Sequence, residues 1–230
     1  MAFSREKIAY NAVKLPKATN VAVSEMRARA EAFLAAMSNR HTIRDYSSEA
    51  IPAAVIEAAI RTAGNAPSGA NHQPWHFVAV KDPAIKQKIR EAAEEEEKAF
   101  YAGGGGDEWI KALEPMGTGP QKPHLTTAPW LIVIFAQRYG EFDDGTRYKN
   151  YYVPESVGIA TGFLIAALHH AGLYCLTHTP NPMKFLGPLL GRPPSEKPTM
   201  ILVVGKADAK ATVPAAALLK KPLTEILTIV

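Results

Sequence analysis

The chain has 230 residues, 47% of them hydrophobic, with a net charge of +4 and a single cysteine. That is enough apolar material for one substantial core, an internal disulfide is excluded, and the scattered basic residues lack the stripe and aromatic interleaving of a nucleic-acid binder. The longest mostly apolar run, 158–168, is too short to cross a bilayer, and the first ten residues lack a secretory pattern, so the expectation is a soluble, cytoplasmic protein with neither nucleic acid nor membrane as partner.

Residues 1–23 have no sustained periodicity and read as an arm. Met26, Ala30, Phe33, Leu34 and Met37 share one helical face, with Ser24 available as N-cap, which predicts a helix to about Asn39. A second helix is expected from Pro52 to a stop at Gly64, with Val55, Ile56, Ala59, Ile60 and Ala63 inward. A turn-rich loop, 65–75, leads to a strand at 77–80. A third helix spans 83–101, and the four glycines at 103–106 break it, so the stretch to His124 reads as a mobile, lid-like loop.

A buried strand is expected at 131–135, then a polar connection, then a central helix over 155–171 ended by Gly172. Strands follow at 174–177 and 199–205, and Cys175 falls in the first as a small buried hydrophobe without a catalytic role. The tail from Lys206, punctuated by Pro214 and Pro222, reads as an extended arm. The alternation predicts an α+β fold in a single domain, 1–230, without repeat or linker.

Two clusters carry candidate chemistry. Arg40, His41, Thr42 and Arg44 place three cationic or titratable groups and a hydroxyl within five residues, which suits a phosphate and equally suits a solvated charged turn. Pro67, Ser68, Gly69, Ala70, Asn71, His72 and Gln73 offer a hydroxyl, amides and a glycine backbone open to a flat ligand, or form a stiffened turn. The histidines have no zinc-type spacing: His169 and His170 are helix neighbours, and His72 and His76 flank Pro74. Trp109 reads as a lid anchor.

Four motifs, RHTIRDY, PSGANHQPW, YYVPESVGIATGFLIAAL and LLGRPPSEKP, stand in the order and at the spacings of nitroreductase-family proteins. The chain resembles that family, and within it the iodotyrosine deiodinases, from about residue 39 to the end. EEEEKAFY, TAPWLIVIF and the tail ATVP…KKPL extend the likeness. The resemblance implies a nitroreductase-like FMN-binding fold with a mixed central sheet flanked by helices, in a homodimer with swapped arms and a lid at about 102–124.

By the same resemblance Arg40, His41, Thr42, Arg44, Pro67, Ser68, Gly69 and Lys220 hold FMN, and Thr177, His178 and Thr179 lie at the flavin N5 edge, with Thr179 favoured as the catalytic hydroxyl. Ala70 offers its backbone N–H to a substrate phenolate. Glu97, Tyr101 and Lys122 grip the ammonium and carboxylate of a halotyrosine, Glu97 and Tyr101 projecting from one helix face at i and i+4. His41 and Thr42 replace the arginine and serine of many deiodinases, and Lys220 replaces an arginine with a less directional charge. The implied activity is reductive dehalogenation of halotyrosines, with an unidentified electron donor. The alternatives are a general nitroaromatic or quinone reductase, and a flavin redox sensor or storage protein without turnover.

Overall fold

The computed structural model describes residues 10–17 and 20–230. Its centre is a four-stranded sheet in the order β1-β2-β6-β5, built from β1 (Trp75–Val80), β2 (Trp130–Gln137), β5 (Tyr174–His178) and β6 (Glu196–Gly205). Every pairing among these strands is antiparallel, so the expected mixed sheet has no parallel pair among the described residues. β2 reads WLIVIFAQ because it is central and covered on both faces, which removes the usual alternation. Its ladder with β6 shifts between Ile134 and Phe135, opposite Pro198, which has no N–H to donate; the Thr199 hydroxyl instead donates to the Ile134 carbonyl at 3.1 Å.

The sheet divides two cores. Ile132, Ile134, Leu202, Val204 and Cys175 face α2 (Ala53–Ala63) and α6 (Val153–His170), from which Ile56, Ala59, Leu164 and Leu168 enter. Leu131, Val133, Phe135, Ile201, Val203 and Leu176 face the other way, toward Ile89 and Ala93 of α3 (Pro83–Ala99), Leu125 of α5 (His124–Thr127) and Leu186 of α7 (Leu186–Leu189). Helix α2 ends at Gly64, and Cys175 is buried as expected, its thiol pushed up to about 11 by burial.

Several expectations need correction. Helix α1 (Val23–Ser38) forms, but its N-cap is Ala22 without a side-chain bond, and Ser24 lies inside the helix. None of its residues is buried: Phe33 is 60% and Leu34 66% exposed, so among the described residues most of its apolar face is uncovered. The supposed polar connection contains a hairpin of β3 (Tyr139–Glu141) and β4 (Arg147–Lys149). The segment after α3 is not an irregular loop. A π-helical turn, Phe100–Gly104, leads into α4 (Asp107–Leu113), with left-handed φ at Gly103 and Gly106 that only glycine adopts without strain. The expected N-terminal arm falls partly outside the described residues; 10–17 and 20–22 carry neither helix nor strand. The tail after β6 holds a single β-bridge at Ala207, a 3-10 turn, Ala215–Leu218, and the short α8 (Leu223–Ile226).

Candidate active site

A cavity of about 470 Å³ opens beside the end of β5, within the range of small-molecule sites. The segment after α1 enters it because Tyr46 is pinned below. Its hydroxyl donates to the Val203 carbonyl at 3.0 Å and its backbone bridges to Ala207, which brings Arg40, His41, Thr42 and Arg44 to the wall. Lys220 reaches the same wall from the tail. No carboxylate pairs with Arg40, His41, Arg44 or Lys220 among the described residues; Lys220 donates to the Ala217 carbonyl at 2.6 Å. Unneutralised cations converging on a concave wall fit a phosphate-bearing ligand better than a solvated turn does.

The same cavity holds a charged group of a different kind. Lys122 Nζ meets Glu97 Oε2 at 3.0 Å, with only 5% and 13% of the two side chains exposed. The ammonium also donates to the Thr118 hydroxyl at 3.2 Å and lies 5.7 Å from the Tyr101 ring centroid. Glu97 and Tyr101 come from the end of α3 and the turn after it, one helical step apart, and Lys122 comes from the root of α5. The structure thus brings the three residues expected to grip the substrate together around one point of the cavity. Trp109 packs edge-on against Phe100 at 5.0 Å and ties α4 to the end of α3.

On β5 the alternation separates neighbours. Thr177 and Thr179 are exposed at the cavity, whereas His178 is 6% exposed and turned against His124, ring centroids 5.8 Å apart. The imidazole of His178 is therefore largely buried, although His178 and His124 both belong to the cavity lining. Among the described residues neither His124 Nε2 nor His178 Nε2 has a hydrogen-bond partner. Burial first, then the Lys122 charge, pushes His124 down to about 4 and His178 to about 3, so both are neutral at pH 7. Sequence reasoning passed over His124; its only signal was its place two residues beyond Lys122.

Pro67, Ser68, Gly69 and Ala70 do not line this cavity. Their loop packs on the start of α6: the Gly69 N–H donates to the Ser156 hydroxyl at 3.3 Å, and a Cβ on Gly69 would lie 2.7 Å from the Tyr151 carbonyl oxygen. Gly69 is thus required by packing on that side, not left open there to a flat ligand. Ser68 Oγ accepts from the Gln73 N–H at 2.9 Å, and Ala70, Asn71 and Gln73 hold left-handed φ of 49°, 56° and 50°. Such strain is costly for non-glycine residues and concentrates at functional loops. No group of three or more histidine, cysteine, aspartate or glutamate side chains could hold a metal among the described residues.

A model of the nitroreductase family matches residues 37–206. The chain is 52% identical over 190 residues to the iodotyrosine deiodinase of Haliscomenobacter hydrossis, covering 83% of this chain and 86% of that one. It is 45% identical over 207 residues to human iodotyrosine deiodinase 1, covering 90% of this chain and 71% of that protein. Its fold matches the crystal structure of an oxidized iodotyrosine deiodinase bound to FMN and 3-iodo-L-tyrosine with a TM-score of 0.69, at 30% identity over 77% of this chain and 90% of that one.

Proposed function

The chain belongs to the nitroreductase family, and from that premise we propose that it is an FMN-dependent reductase that removes halogen from halotyrosines, working as a homodimer. The observation that carries the reading is the Glu97–Lys122 pair beside Tyr101: a buried anion and a buried cation are what a free amino acid's ammonium and carboxylate require. The two relatives at 52% and 45% identity, both iodotyrosine deiodinases, support it.

Arg40, Thr42, Arg44 and Lys220, with His41, would hold the FMN phosphate and pyrimidine edge, and Thr177, the His178 backbone and Thr179 would face the N5 edge. Bound reduced FMN supplies the two electrons that, with a proton, replace a carbon–halogen bond by a carbon–hydrogen bond and release halide. The protein's part is orientation. Glu97 takes the substrate ammonium, Lys122 its carboxylate and Tyr101 the space between, while the Ala70 N–H receives the phenolate. That amide is used by none of the loop's hydrogen bonds among the described residues, whereas those of Gly69, Asn71, His72 and Gln73 are engaged.

Two observations support the homodimer. The loop Pro67, Ser68, Gly69 and Ala70 does not reach the cavity of its own protomer, so a second copy is needed to bring both halves of the site to one flavin. Apolar surface is also left uncovered on α1, along α6 at Ile159 and Phe163, and on the tail at Leu223, Ile226 and Ile229. The lid then spans about 102–124, and the tail 206–230 reaches across within a single-domain chain. Among the described residues no helix is long and apolar enough to cross a membrane. A cytoplasmic place suits the reduced thiol of Cys175.

The test is single turnover without oxygen. Protein loaded with FMN and chemically reduced should be reoxidised by 3-iodotyrosine with release of one iodide per flavin. Reoxidation by nitroarenes alone would establish a general reductase instead, and no reoxidation by either a redox sensor. Heat-released cofactor should run as FMN, and light scattering should give the mass of a dimer; a stable flavin-loaded monomer would sink the shared site.

A further inference from the structure

The face of α3 that carries Glu97 and Tyr101 continues back toward the start of the helix. Lys86, Arg90, Glu94, Glu97 and Tyr101 follow one another at steps of four, four, three and four residues, which is one stripe of an α-helix. The first three all grip the segment that begins at Lys122. Glu94 Oε1 accepts the Lys122 backbone N–H at 2.7 Å, and Arg90 Nε donates to the same oxygen at 2.8 Å. The Arg90 Nη1 donates to the Thr126 hydroxyl at 3.1 Å. Lys86, itself buried, donates from Nζ to the Thr126 and Ala128 carbonyls at 3.1 and 2.7 Å.

This segment needs outside support. α5 is four residues long, too short to be stable as an isolated helix, and the other end of the lid passes through Gly103 and Gly106. The position of Lys122 is consequently set at its C-terminal root. We propose that Glu94 is a positioning residue that fixes the Lys122 backbone, so that its ammonium stands beside Glu97 and Tyr101 where a substrate carboxylate must bind; this rests on the reading of Lys122 given above. Burial alone would raise the Glu94 carboxyl, but the Lys122 amide and Arg90 outweigh it and hold it below the usual carboxylate range, so the anchor is charged at neutral pH. Glu94 thus holds the lysine's backbone while Glu97 balances its charge.

Two readouts test this on FMN-loaded protein. The first needs no substrate: hydrogen exchange of the amides in residues 118–128. Glu94→Ala removes the acceptor, and Glu94→Asp withdraws the carboxylate by one methylene, so both should speed exchange at Lys122 about tenfold or more; Glu94→Gln keeps a carbonyl acceptor and should stay near wild type. The second is the affinity for 3-iodotyrosine, followed by flavin fluorescence. Glu94→Ala and Glu94→Asp should weaken it about tenfold, raising KM more than they lower kcat, and Glu94→Gln should largely restore it. In the Lys122→Ala background Glu94→Ala should add little, because its effect passes through Lys122. Unchanged exchange in both Glu94→Ala and Glu94→Asp, or an undiminished affinity loss in the Lys122→Ala background, would overturn the assignment. Failure of the wild type to bind 3-iodotyrosine would strike the proposed function, while the exchange measurement would still decide whether Glu94 positions Lys122.

Discussion

Glu95 and Glu97 stand two residues apart on α3, and each makes an ion pair of nearly the same length. Glu95 meets Lys98 at 2.9 Å with 76% and 65% of the side chains exposed; Glu97 meets Lys122 at 3.0 Å with 13% and 5% exposed. Water and salt screen the first pair, and its loss changes little. The second has exchanged hydration for a partner, so anything that enters must replace that partner or leave a charge uncompensated. Distance alone does not separate a surface contact from a recognition device; burial does.

The largest way to disturb the buried side is to add charge beneath it. His124 and His178 are held at about 4 and about 3 when folded, against about 6.5 when unfolded. Their folded values are depressed, so the stability of keeping them neutral is fully present above pH 6.5. It is lost progressively as pH falls from there toward 4 and 3, because the unfolded chain takes up protons that the native one refuses. Denaturant unfolding of the flavin-free protein should show stability at pH 5 lower than at pH 7 by about 3–4 kcal/mol for the two groups together. Replacing both histidines by glutamine should flatten that dependence, and an equally steep profile in that variant would assign it elsewhere.

The pair itself gives the next effect. Lys122→Ala or Glu97→Gln should weaken 3-iodotyrosine binding by roughly 1.5–3 kcal/mol, about tenfold to hundredfold, because a charge-assisted contact is lost and one charged end of the ligand is left unmatched. FMN content should be unchanged, since neither residue belongs to the cationic wall; calorimetric titration and the flavin absorbance check both. The smallest effect belongs to the exposed pair: Lys98→Ala should change neither iodotyrosine affinity nor thermal midpoint measurably.

The parts of the fold legible in the sequence were those whose pattern is enforced within the chain. The β2 run and one face of the helix at 153–170 are buried by their own neighbours, and their apolar patterns gave them away; the rest of that helix, expected to be central, leaves Ile159 and Phe163 exposed. The stripe on α1 was equally clear, but a pattern records that a face is apolar and not which chain covers it; Met26, Phe33 and Leu34 are exposed. The hairpin at 139–149 escaped because its three-residue strands, Tyr139–Glu141 and Arg147–Lys149, are mostly polar and carry no apolar alternation. At the site, i and i+4 spacing paired Glu97 with Tyr101, but Lys122 joined them only through family resemblance. Glu94 was hidden in a run of four glutamates, because its partner, a backbone N–H 28 residues away, leaves no trace in side-chain chemistry. Alternation along β5 could have set His178 apart from Thr177 and Thr179, since alternate residues of a strand face opposite sides.

The most direct test of the central claim, that a buried charge pair selects the zwitterion, is a ligand series on one wild-type protein loaded with oxidised FMN. Dissociation constants would be measured by flavin fluorescence for 3-iodotyrosine, for 2-iodophenol without the charged end, and for iodinated analogues bearing only the ammonium or only the carboxylate. The zwitterion replaces the partners of both Glu97 and Lys122, the neutral phenol leaves their pair intact, and a singly charged ligand separates them while satisfying only one. 3-Iodotyrosine should bind tightest by about tenfold or more, and each singly charged analogue should bind no better than the neutral phenol. Equal binding of 3-iodotyrosine and 2-iodophenol, or a singly charged analogue that matched the zwitterion, would contradict the claim.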